Sequence, residues 1–100
     1  MEKLESLDQI LEILRTVKPD VESRYQVDEL AIFGSYRRGD QRPGSDLDIL
    51  VTFHSPISLI KIIELENFLT DRLGVRVDLV MRDALKPYIG KQILKEIVAV

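Results

Sequence analysis

Apolar residues recur at three- and four-residue spacing in the opening stretch. Leu4, Leu7, Leu11 and Leu14, with Ile10 beside them, make one face of an amphipathic helix. Pro19 suits the first turn of a second short helix reaching about Tyr25. LAIFG at 30–34 then reads as a buried β-strand, and DLDILVTF at 46–53 as another. The intervening SYRRGDQRPGSD carries two glycines, a proline and five charges, which predicts a loop opened by one helical turn after Gly34. Ser55-Pro56 is a helix-start signal and Gly74 a stop signal. Between them Leu59, Ile62, Ile63, Leu65, Phe68, Leu69 and Leu73 predict the longest helix. VRVDLVM at 75–81 alternates apolar and charged positions in its first half and predicts a third strand. Pro87 opens a last helix around Ile89, Ile93 and Ile97.

The predicted order is α-α-β-β-α-β-α, with no internal repeat or linker, so residues 1–100 are expected to form a single domain. Three strands are few for a sheet. A short further strand at Val98-Ala99-Val100, or pairing with another subunit, would extend it.

Composition narrows the chemistry. With 45% hydrophobic and 31% charged residues the chain resembles ordinary globular domains. The absence of cysteine removes disulfides and thiolate metal sites, leaving carboxylates and His54 as side-chain metal ligands, a set that favours magnesium. No apolar run approaches the roughly 20 residues needed to cross a bilayer, and the start is acidic where a signal peptide would be apolar. A cytoplasmic location without a membrane partner is therefore expected. A net charge of −3 offers no surplus to neutralise a polynucleotide, so long nucleic acid is not expected to bind. A nucleotide carried with its own magnesium remains compatible.

The candidate chemistry lies at the strand ends. Asp46 and Asp48 are two apart on a strand, so both carboxylates point to one face while Leu47, Ile49 and Val51 point to the other. Asp78 joins them if the second and third strands are neighbours. Three clustered carboxylates repel, and their pKa values rise unless a cation compensates. Two divalent ions bridged by such groups are an established arrangement for in-line displacement at phosphorus. Gly34-Ser35 closes a strand and opens a turn, where backbone N–H groups can face a phosphate and Ser35 adds a hydroxyl. Arg38 and Arg42 lie in the same loop, and guanidinium groups match phosphate oxygens. Arg37 reads as a surface charge and His54 as solvent-facing. Tyr36 and Tyr88 read as part-buried aromatics. Arg76 could pair with Asp78 or Asp48, or merely flank the site.

Gly34-Ser35, ten intervening residues, Asp46-Leu47-Asp48 and a later Asp78 together resemble the polymerase-beta-like nucleotidyltransferase superfamily. The loop GSYRRGDQRPGSDLDILV, continuing through VDLV to LKPYIGKQILKEIV, resembles its minimal, MNT-type branch over about two-thirds of the chain. That resemblance implies a small α/β (α+β) nucleotidyltransferase fold: a short mixed sheet with helices on one side and the acidic site on the other. It also implies transfer of AMP from ATP to an acceptor hydroxyl, with a tyrosine of a partner HEPN ribonuclease toxin as the expected acceptor. Asp46 and Asp48 would bind two magnesium ions, Asp78 would complete the metal site, and Gly34 and Ser35 would hold the β- and γ-phosphates. Arg38 and Arg42 are the accompanying nucleotide-binding candidates. The alternative is a non-catalytic nucleotide- or metal-binding antitoxin that neutralises its toxin by contact alone. Homo- or hetero-oligomers are compatible with either reading.

Overall fold

The computed structural model describes residues 6–100. Leu4 therefore lies outside the described residues, as do the side chains of Tyr88 and Ile89. Helix α1 runs from Leu7 to Tyr25 and is capped by Ser6, whose side chain accepts from the Gln9 N–H while Gln9 reaches back to the Ser6 N–H. Two helices were expected here, and one is found. Pro19 sits inside it because the buried stripe Ile10, Leu14, Val17, Val21 and Tyr25 continues across the proline. The burial of that continuous face outweighs the lost backbone hydrogen bond. Gln26, in the left-handed region at φ 60°, ends the helix.

Strand β1 (Val27–Phe33) begins earlier than its apolar run suggests, since pairing with β2 (Leu47–Phe53) carries Val27 and the polar Glu29 into the ladder, with a register shift at Asp28 between them. Between them, α2 (Ser35–Arg38) is the expected single turn. Helix α3 (Leu59–Leu73) starts at Ser58, whose hydroxyl accepts from the Lys61 N–H, and not at Ser55-Pro56. The Ser55 hydroxyl instead donates to the Gln26 side chain. Only Leu65, Leu69 and Leu73 of α3 are fully buried, and its first turn leaves Leu59 and Ile60 in solvent.

Strand β3 (Val77–Met81) leads through a short 3-10 turn into α4 (Pro87–Leu94), which ends before Ile97. A two-residue strand β4 (Val98–Ala99) then forms where the extra strand was expected. The sheet order is β3-β2-β1-β4: β2 and β3 run parallel, and β1 is antiparallel to both β2 and β4. Helices α1 and α3 cover one face, where their leucines and valines meet Val27, Leu30, Ile32, Leu47, Ile49, Val51 and Val77. Tyr36 belongs to this core and is wholly buried. The opposite face carries a smaller cluster of Ala31, Phe33 and Leu50 under Val80, Leu85, Ile93 and Ile97. Among the described residues no helix is long and apolar enough to cross a membrane.

Candidate active site

The acidic residues share the face that α1 and α3 leave open. The antiparallel register sets Asp48 beside Phe33, and the parallel register sets Asp48 beside Asp78. Directly opposed residues in a ladder project to the same face, so Asp48 and Asp78 stand side by side. Leu47 and Val77 point the other way into the core. Asp46 precedes β2, and the Leu47 N–H donates to the Arg76 carbonyl at 2.8 Å, which clamps the start of β2 to the start of β3. Arg76 pairs with neither Asp48 nor Asp78. Its guanidinium meets Asp46 instead, at 3.6 Å.

Gly34 lies next to Asp48. It holds φ +80° and ψ −153°, a region essentially reserved for glycine, and a Cβ there would overlap the Asp48 carboxylate oxygen. The glycine therefore does two things at once: it lets β1 turn sharply into α2, and it makes room for the carboxylate. The turn is closed by hydrogen bonds from Arg38 N–H to the Gly34 carbonyl and from Gly39 N–H to the Ser35 carbonyl.

Packing Asp48 against backbone on one side and acids on the other has an electrostatic cost. Burial, then Asp78, then Asp46 push its pKa from 3.8 to about 6, with Arg38 opposing and an Asp78 hydrogen bond adding to the rise. Burial is the largest cause, and the carboxylate repulsion anticipated from the spacing adds to it at Asp48. Among the described residues, no three acidic or imidazole side chains already converge as a ligand set, and the Asp46 carboxylate is turned to Arg76. The donor chemistry nevertheless fits a hard divalent cation. Asp48 and Asp78 are adjacent carboxylates, and Asp46 adds to the same field.

Arg38 lies at the edge of this cluster, exposed and bridged to Asp40 and Glu96. Arg42 is exposed, and the bonds that place it belong to its backbone: Arg42 N–H donates to Ser45 Oγ and the Arg42 carbonyl accepts from Ser45 N–H, forming the turn into Asp46. Arg37 is half-buried rather than a plain surface charge, and His54 is exposed. Glu96 lies in the stretch LKPYIGKQILKEIV but is not among the expected site residues, because its approach to Gly34 depends on how β4 docks on β1.

Comparison with known proteins gives this geometry a family. The nucleotidyltransferase domain family matches residues 14–100. The chain belongs to that family. Among curated relatives of this nucleotidyltransferase, the protein adenylyltransferase MntA of Thermococcus cleftensis is 47% identical over 95 residues, covering 95% of this chain and 96% of its own. Among solved structures, a candidate minimal nucleotidyltransferase superposes with a TM-score of 0.82 at 32% identity, covering 99% of this chain and 100% of that one. A toxin–antitoxin complex with AMP-PNP superposes with a TM-score of 0.67 at 27% identity, covering 92% of this chain and 69% of that one.

Proposed function

We propose that this nucleotidyltransferase moves AMP from ATP onto a hydroxyl of a partner protein, a tyrosine of a HEPN ribonuclease toxin, and thereby silences it. The observation that carries the reading is the abutment of Gly34 on Asp48 with Asp78 in register alongside, which sets the strand-end turn of Gly34 and Ser35 directly against a pair of carboxylates. The adenylyltransferase relative and the nucleotide-bearing toxin–antitoxin complex support the choice of nucleotide and partner.

In this reading the Gly34 amide and the Ser35 hydroxyl bind the β- and γ-phosphates, and Arg38 offsets their charge. Asp46, Asp48 and Asp78 would hold two magnesium ions, which supply Lewis-acid stabilisation of the charge on the attacking and leaving oxygens. In this reading Asp78, exposed on the edge strand β3, meets the incoming acceptor. It orients the hydroxyl and takes up its proton as the oxygen attacks the α-phosphorus and pyrophosphate leaves.

The test incubates the purified protein with ATP, magnesium and a HEPN protein encoded beside it, then weighs the product by intact-mass spectrometry. One or more added AMP masses on the toxin, lost with Asp46→Asn/Asp48→Asn, is the expected result. The Arg76–Asp46 pair favours a second reading, in which the domain masks its toxin by contact alone. Full neutralisation by the double variant, with no AMP on the toxin, would select that reading.

A further inference from the structure

The connection from α4 to β4 delivers a carboxylate into the phosphate loop. β4 pairs with β1 through Ala31↔Ala99 and Ile32↔Val98. Continuing that antiparallel register by two residues sets Glu96 opposite Gly34. One carboxylate oxygen, Glu96 Oε1, accepts from the Gly34 N–H at 3.4 Å and from Arg38 Nη1 at 3.4 Å. The Glu96 backbone is itself anchored, its N–H donating to the Ile93 carbonyl at 3.0 Å. Asp40 takes the other side of the guanidinium, 3.4 Å from Arg38 Nε.

A carboxylate oxygen held jointly by a backbone amide and a guanidinium occupies the donors that a phosphate oxygen would use. We propose that Glu96 is an internal anion that fills the phosphate cradle of the free protein and is displaced by the terminal phosphates of the nucleotide. The inference rests on the nucleotide reading above. It makes binding an exchange of anions: a polyphosphate with several charges displaces Glu96, whereas a nucleoside has nothing with which to do so. The exchange runs in both directions, so the return of Glu96 to Gly34 and Arg38 competes with departing pyrophosphate and favours its release.

Removing the charge of Glu96 removes the competitor. Isothermal titration of wild type and Glu96→Gln with AMP-PNP plus magnesium should show the variant binding about five- to tenfold tighter, the scale of a weakened charge-assisted hydrogen bond. Adenosine should bind both proteins alike, and inorganic tripolyphosphate should follow AMP-PNP. Equal or weaker AMP-PNP binding by the variant overturns the inference while leaving the nucleotide reading in place, and so does an equal gain for adenosine. If neither protein binds AMP-PNP, the nucleotide reading fails and takes the inference with it. The wild type provides a check that needs no variant to fold. In an NMR titration with AMP-PNP and magnesium, the Gly34 amide and the Glu96 carboxylate carbon should shift together, and a stationary Glu96 signal would overturn the proposal.

Discussion

Replacing Asp48 with asparagine should make the metal-free protein more stable. A carboxyl whose pKa is higher in the folded chain than in the unfolded one binds its proton more tightly when folded, so its ionised form opposes folding. For Asp48 the ordinary value is 3.8 and the folded value about 6. The opposition is therefore complete above about pH 6 and is relieved as the pH falls from 6 towards 3.8. Each tenfold change in proton affinity is about 1.4 kcal/mol, so the full shift corresponds to about 3 kcal/mol. Solvent screening at this partly exposed site reduces that to about 1–2 kcal/mol. For a domain of this size the gain raises Tm by roughly 5–10 °C. The assay is thermal unfolding of wild type and Asp48→Asn in EDTA at pH 8, repeated stepwise to pH 4. The variant should melt higher at pH 8, and the gap should close between pH 6 and 4. Millimolar magnesium at pH 8 should shrink or invert the gap, because cation binding stabilises only the protein that retains the charge. An asparagine variant no more stable than wild type at pH 8, or a gap indifferent to pH, would refute the claim that burial and the neighbouring acids make the ionised Asp48 costly in the folded chain.

The same packing sets further outcomes. Gly34→Ala forces a Cβ onto the Asp48 carboxylate at φ +80°; it should cost roughly 2 kcal/mol or more in denaturant unfolding and abolish AMP-PNP binding in titration. Pro19→Ala, at an exposed position inside α1, should stabilise by about 1–3 kcal/mol in urea unfolding, since it restores a helical hydrogen bond; a loss of stability would show that the proline sets a bend that the packing requires. Leu69→Ala, in the fully buried α3 face, should cost about 2–5 kcal/mol by the same measurement. Arg76→Ala frees Asp46 from its ion pair and should lower the magnesium concentration giving half-maximal nucleotide binding; an unchanged requirement would mean that the pair does not restrain Asp46.

The candidate site was legible to the extent that its parts are local. Asp46 and Asp48 share a face because a strand has period two, whatever packs around it. Gly34-Ser35 stands at a strand end because the apolar run of β1 stops at Phe33. The parallel pairing of β2 and β3, which puts Asp78 beside Asp48, was a conditional expectation that the register meets. What escaped the sequence reading depends on contacts between distant segments. Arg76 lies two residues from Asp78, yet the pairing at the strand starts aims it at Asp46. Arg42 lies in the loop between β1 and β2, and its backbone bonds form the turn before β2.

The helices divide in the same way. Pro19 is a local signal for a boundary, and reading it alone splits α1 in two. The structure keeps one helix because Val21 and Tyr25 extend the buried stripe, and that gain exists only once the sheet and α3 are there to cover it. Ser55-Pro56 is the start signal in the sequence, but the Ser55 hydroxyl is drawn away by Gln26 at the end of α1 and Ser58 caps α3 instead. By itself, then, the sequence determined the periodic elements, the core faces and the paired acids, all of which follow from side-chain alternation within a few residues. The tertiary structure decided which charges meet. The Arg76–Asp46 pair, the raised proton affinity of Asp48 and the placement of Glu96 on Gly34 and Arg38 all arise where separate strands are brought into register, and electrostatic energy depends on distances that no single segment sets.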